Sequence, residues 1–338
     1  MGVGVAPMTT LSSSLAGSRN VARRLDLRLR CPRCSANLSA LDCLKCGLSL
    51  NECGGIIHAL PPIRLDHYAQ FIADYEHIRV AEGRGSARGD FYLALPYRDV
   101  SGRNTNQWRI RARTWDYLMK RVLGPAFLPH APIPRGLILD LGAGNCWMSF
   151  RLAQAGYKPV AVDLHDNSFD GMGAAEHFRD SLPNLFPRFR AELAHLPFQD
   201  EQFDAAIFNA SFHYVEDAAA ALAEALRCVK PGGRLIICDT PWYSCDESGY
   251  EMVRERRMSF MKRYGTASAS LQSVEFLTDE RLQSLEERLA IRWTVYSPNY
   301  GLQWAMRPFI AKLWNRREPA QFRIFVAQKA PASSGART

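Results

Sequence analysis

An apolar run ends in Asp140, and Gly142, Ala143 and Gly144 then open a turn into a helix. Twenty-three residues after Asp140, a second apolar run ends in Asp163. Strand, glycine turn, helix, strand and acid, in that order, suit a nucleoside-bearing cofactor lying across the carboxyl ends of parallel strands. The glycines let backbone approach the ligand, the helix start offers free N–H groups, and the second acid can accept from a ribose. A dinucleotide site wants a third glycine where Trp147 stands, so the pattern is Asp-x-Gly-x-Gly instead.

A second group is made of thiols. Cys31 and Cys34 form one Cys-x-x-Cys knuckle, Cys43 and Cys46 another, with eight residues between them. Two such turns can aim four thiolates at one tetrahedral zinc ion. A redox pair would stand once, beside a strand–helix–strand pattern, and buried thiols need no such spacing. A module this short cannot bury a core and needs the metal to fold. Cys53 is left as a packing residue or a substitute ligand. His213, in a segment that follows a predicted strand, is a candidate base because imidazole titrates near neutral pH, the competing reading being a packing or cofactor-wall residue.

These residues imply the elements that carry them. Residues 1–25 read as a tail, 26–62 as the zinc ribbon, 63–134 as a helical and irregular segment on the substrate side, 135–330 as the catalytic domain, and 331–338 as a second tail. Tyr68, Phe71, Ile72, Tyr75 and Ile78 share one face of a helix over 67–82, and Trp108, Trp115, Leu118 and Val122 one side of a helix over 107–123. Residues 125–134 form a proline-broken linker. Predicted strands end at Asp140, Asp163, Asn209 and Asp239, with a weaker one at 188–192, and strands near 292–296 and 321–327 finish the sheet as an antiparallel pair. The fold class is α/β: a doubly wound, Rossmann-like, seven-stranded sheet with a small N-terminal zinc ribbon. Residues 240–277 leave the carboxyl end of a strand and form a lid-like insertion. Trp108 and Arg109 from one side, with Trp242 and Tyr243 from the other, are expected to line the substrate pocket. For Trp108 the competing reading is plain core.

From 137 to 240 the chain resembles the class I S-adenosylmethionine (SAM)-dependent methyltransferases, and most the branch that makes ubiquinone and menaquinone. The resemblance rests on the Asp140–Gly144 turn, on residues 191–198 as an adenine-side loop with Glu192 where aspartate is usual, on Phe203 and Asp204 leading a strand, and on Lys230, Pro231, Gly232 and Gly233 leading the next. It implies that Asp140, Gly142, Ala143 and Gly144 lie at the methionine end of SAM and that Asp163 takes both ribose hydroxyls, Asp166 being the weaker candidate. Glu192 and Leu193 would meet adenine, and Asn209 would stand beside the methyl group. Cys146 departs from the pattern, where glycine is common. The stretch 29–62 is similar to ribbons fused ahead of bacterial methyltransferases and to a small activator subunit of RNA methyltransferases.

The chain has 338 residues, 47% hydrophobic and 22% charged, which is ordinary globular usage. No apolar run is long enough for a membrane span, and the first twenty residues lack the apolar stretch of a secretory signal. A transit peptide is the alternative to a plain tail there, and the expected location is cytoplasmic. Net charge is +8, with basic clusters at 19–30, 103–121 and 307–317, which suit an anionic partner or only a solvated face. The expected function is methyl transfer from SAM to a small-molecule, lipid or quinone-like acceptor, anionic if the arginines bind it. The second reading is an rRNA or tRNA base methyltransferase, and the third a non-catalytic SAM- or RNA-binding scaffold. The oligomeric state is left open.

Overall fold

The computed structural model describes residues 27–124 and 136–331. The N-terminal tail with Arg19, Arg23 and Arg24, the linker 125–134 and the C-terminal tail beyond residue 331 lie outside the described residues. The front module is two hairpins, β1 (Leu29–Arg30) with β2 (Asn37–Leu38) and β3 (Asn51–Cys53) with β4 (Ile56–His58). Helix α1 (Pro62–Ala81) follows, with proline in its first turn, where no N–H is needed. Helix α2 (Thr105–Tyr117) runs on into a π-helical turn at Leu118–Val122.

The main sheet is built on β5 (Leu137–Leu141), β6 (Lys158–Asp163), β7 (Arg188–Arg190), β8 (Phe203–Asn209), β9 (Val229–Cys238), β11 (Trp293–Tyr296) and β13 (Ile324–Gln328). A separate pair is β10 (Pro241–Trp242) with β12 (Gln321–Phe322). Strands β5 to β9 are parallel; β13 is antiparallel to β9 and to β11. The seven expected strands are present, with the antiparallel pair where the sequence puts it. Two more are added: β4 pairs in parallel with β7, Ile57 opposite Phe189, and β3 becomes the edge of a nine-stranded sheet. The ribbon is therefore continuous with the catalytic sheet, a pairing hidden in sequence because it joins residues more than 130 positions apart.

Strand alternation sends side chains to two core layers. Leu139, Val160 and Phe189 face α4 (Ala218–Cys228) and α6 (Asp279–Leu289), together with Leu29, Leu48 and Leu50 of the ribbon. Ile138, Ala161 and Ile207 face α3 (Trp147–Gln154) and α2, where Trp108 and Trp115 pack edge-on against Trp147. Trp108 is thus core, and its competing reading holds. The segment 240–277 is largely a long helix, α5 (Asp246–Tyr264), capped by Gly265 in the left-handed conformation.

Candidate active site

Two cavities lie side by side at the carboxyl ends of β5, β6, β8 and β9. The first, about 430 Å³, is lined by Gly142, Gly144, Asp163, Glu192, Leu193 and Ser211 among others. The second, about 370 Å³, is lined by residues of α1, α2 and the 240–277 segment, including Arg111, His213, Asp239 and Arg256. Phe71, Tyr75, Ala210 and Tyr214 line both and form the partition. One face of α1 roofs the pair: Arg64, Tyr68, Phe71 and Tyr75 over the first, and Phe71, Tyr75, Ile78 and Arg79 over the second.

The glycine turn lies at the carboxyl end of β5 and borders the first cavity. Gly142 has φ +74 and Gly144 φ +53, and a Cβ on Gly142 would stand 2.2 Å from the Ser211 Cβ. Cys146 also sits in the left-handed region, at φ 62, uncommon for a residue other than glycine. Its thiol is buried and donates weakly to the Gly144 carbonyl, at 3.7 Å. Asp163 is fixed from two sides: Oδ2 accepts from the Gly144 N–H at 2.7 Å and Oδ1 from the His165 N–H at 2.8 Å. Each oxygen keeps one lone-pair direction for a ribose hydroxyl.

Other expected contacts lie elsewhere. Asp140 is buried behind the turn, accepts from Ser149 Oγ at 2.6 Å, and is not part of the cavity wall. Burial pushes its carboxyl up to about 7. Ala143 and Asn209 are also off the wall, and Asn209 Oδ1 accepts from the Cys238 thiol. Asp166 pairs with Arg190 at 2.9 Å, outside both cavities. Glu192 does line the first cavity. It is already held by Arg64 at 2.7 Å, Tyr68 Oη at 3.1 Å and His195 Nδ1 at 3.1 Å. Sequence reasoning missed Arg64, because α1 and the loop of Glu192 are 128 residues apart.

Of the residues expected to meet substrate, none of Trp108, Arg109, Trp242 and Tyr243 lines the second cavity, whose walls come from other residues of the same two segments. Arg109 is exposed, while Gln107, Ile110 and Arg111 of the same helix face the second cavity. Spacing of three and four residues puts these on one stripe and turns Arg109 away from it. Trp242 donates from Nε1 to Asp279 at 3.0 Å beneath Arg323, and Tyr243 is buried against Phe276. In this extended stretch Pro241 faces the cavity and Trp242 points to the other side. His213 reaches the second cavity, but burial and the Arg256 and Arg111 charges lower it to about 3. It stays neutral near pH 7 and is a poor resting place for a proton.

Residues 139–237 match the family described as "Methyltransferase domain". A demethylmenaquinone methyltransferase of Clavibacter sepedonicus is 30% identical over 151 residues, which is 44% of this chain and 59% of that protein. Another, of Mycobacterium sp. (strain KMS), is 33% identical over 139 residues, 40% of this chain and 55% of that protein. Residues 139–237 of this chain are thus similar to a methyltransferase domain. The chain spans little more than half the length of these relatives. Among solved structures, a geranyl diphosphate methyltransferase in complex with GPP and sinefungin overlays with a TM-score of 0.46 at 17% identity, covering 66% of this chain and 79% of that chain.

The ribbon attached to the methyltransferase domain carries the four thiols as a cluster. The Sγ atoms of Cys31, Cys34, Cys43 and Cys46 all lie within 4.8 Å of one another. Cys31 to Cys46 and Cys34 to Cys43 are each 3.5 Å, a cluster compact enough for four thiols to share one metal ion. Cys53 is exposed on β3 and takes no part. No described helix is long and apolar enough to cross a membrane.

Proposed function

We propose that the protein transfers a methyl group from SAM to a quinone-like or other small aromatic acceptor. The cofactor would lie in the first cavity and the acceptor in the second. The observation that carries this reading is the shared partition: a methyl group directed past Ala210 and Tyr214 meets the second cavity directly. SAM supplies an electrophilic methyl on a sulfonium. The chain's residues do the rest. Gly142 and Gly144 admit the amino-acid end, Asp163 holds the ribose, and Leu193 with Glu192 borders the adenine. Asp140 fixes the start of α3 through Ser149 instead of touching the ligand. Phe71, Tyr75 and Tyr214 exclude water, and in-line placement with water exclusion is most of what methyl transfer requires.

Cys31, Cys34, Cys43 and Cys46 are assigned to one structural zinc, whose role is to order the ribbon and so hold α1 over both cavities. The relatives' names favour a quinone-like acceptor over RNA. A crystal structure with S-adenosylhomocysteine tests the reading. Adenosine along Gly142–Asp163 with sulfur at the partition is expected; a ligand elsewhere, or NADH in its place, defeats it.

A further inference from the structure

The second cavity holds polar groups that the protein itself does not satisfy. Asp239 Oδ2 and His213 Nδ1 are buried without a hydrogen bond. Four arginines line the cavity. Arg79 is paired with Asp170, Arg84 with Glu82 at 2.8 Å, and Arg256 with Glu275 at 2.6 Å. Among the described residues Arg111 makes no hydrogen bond or ion pair; its guanidinium rests on the Trp108 ring, 4.8 Å from the centroid. Arg111 and Asp239 influence each other through space but do not touch.

Asp239 is buried and Arg111 half-buried; charged groups withdrawn from water without a partner are costly, and a ligand that completes them offsets that cost. Asp239 follows β9 in the left-handed conformation, at φ 53, an uncommon backbone for a non-glycine residue and one that functional sites retain. Thr114 Oγ1 donates to its Oδ1 at 2.6 Å, which fixes the carboxylate of this cavity-lining residue and leaves Oδ2 as the oxygen without a partner. The walls between these groups are Tyr75, Tyr214, Phe260 and Phe322, surfaces suited to a flat ring.

We propose that the second cavity takes a hydroxylated aromatic acid, with Arg111 gripping its carboxylate and Asp239 Oδ2 accepting the proton of its hydroxyl. The inference rests on the methyltransferase reading above and narrows its acceptor. The acceptor's O–H bond breaks and its proton moves to Asp239. The freed oxygen pair forms the new O–CH₃ bond. The S–CH₃ bond breaks and its electron pair remains on sulfur, leaving a neutral thioether. Once Asp239 is protonated, half-buried Arg111 would stand without a nearby anion, so the acceptor's own carboxylate is what balances it. Burial raises the Asp239 carboxyl above the ordinary carboxylate range, which makes it a better proton acceptor than a solvated aspartate. His213, neutral beside Arg256, offers the acceptor one further hydrogen bond.

The test uses the full chain saturated with S-adenosylhomocysteine and three acids: 4-hydroxybenzoate, 3,4-dihydroxybenzoate and 6-hydroxy-2-naphthoate, each beside its methyl ester. By calorimetry at least one acid should bind roughly tenfold tighter than its ester, the scale of a charge-assisted contact. In Arg111→Met that preference should vanish while S-adenosylhomocysteine affinity is unchanged. In Asp239→Asn the acid should still bind, but its transfer rate with SAM should fall about 100-fold, the scale of a lost general base. Esters binding as well as acids, no acid binding to a chain that binds S-adenosylhomocysteine, a preference surviving in Arg111→Met, or normal turnover in Asp239→Asn would each overturn the inference. Failure to bind S-adenosylhomocysteine defeats the underlying reading instead. Thermal melts of both variants separate these outcomes from misfolding.

Discussion

Replacing Asp163 by asparagine perturbs the cofactor reading at its firmest point. The carboxylate is 8% exposed and accepts two backbone N–H groups, from Gly144 and His165. Asparagine supplies one carbonyl and one amide NH₂. Whichever way it flips, one backbone N–H faces another donor. An unsatisfied buried donor costs about 1–3 kcal/mol of stability. The ribose also loses one charged acceptor, worth about 1.5–3 kcal/mol, so affinity for S-adenosylhomocysteine should fall roughly 10- to 150-fold. Calorimetry with a parallel urea melt measures both effects. Asp166→Asn is the control, since Asp166 is bound to Arg190 outside the cavity, and should leave affinity unchanged. A folded Asp163→Asn protein that binds within about threefold of the parent, a change smaller than one hydrogen bond is worth, refutes the reasoning.

Three further outcomes are expected. Metal analysis should find about one zinc per chain, and chelation or Cys34→Ser should lower both stability and cofactor affinity, because the ribbon's β4 leads into α1; a zinc-free chain with full affinity contradicts this. Arg64→Ala leaves Glu192 buried with only Tyr68 and His195 beside it, and should destabilise the fold by about 1–3 kcal/mol, the buried-pair cost discounted for Arg64's partial exposure; an unchanged urea midpoint argues against that pairing. Asp140 is an acid whose folded value is raised to about 7, so its penalty is absent below its unfolded value near 4, grows as pH rises toward 7, and is constant above. Asp140→Asn should therefore flatten the stability profile between pH 4 and 7, and melts that keep the parent's slope exclude this assignment.

The parts of the site held by local rules were legible in the sequence. The glycine turn, Asp163 and the four cysteines are set by short-range geometry, and the structure brings each group together. The strands of the catalytic sheet followed from the same logic, including the antiparallel end pair. What was hidden depends on long-range packing. Arg64 meets Glu192 only because α1 crosses the sheet ends, and no periodicity in either segment announces it. The helix Thr105–Tyr117 was foreseen, but apolar spacing marks its buried side, and the choice between Arg109 and Arg111 turns on a rotation that the tryptophan stripe leaves undecided. Asp239 looked like the end of one more strand. Only its unpartnered oxygen beside Arg111 marks it as a site. Helical turns at Leu302–Ala305 and Arg307–Leu313 were also unforeseen, for their large apolar residues are exposed and give no inward stripe.

The most direct measurement is the fate of a labelled methyl group. The purified chain, given methyl-labelled SAM and a fractionated cell extract, should place label in a small aromatic fraction, insensitive to salt and to ribonuclease, and the Asp163→Asn protein should do so far more slowly. Label entering RNA, with activity falling steeply as salt rises, would contradict the account.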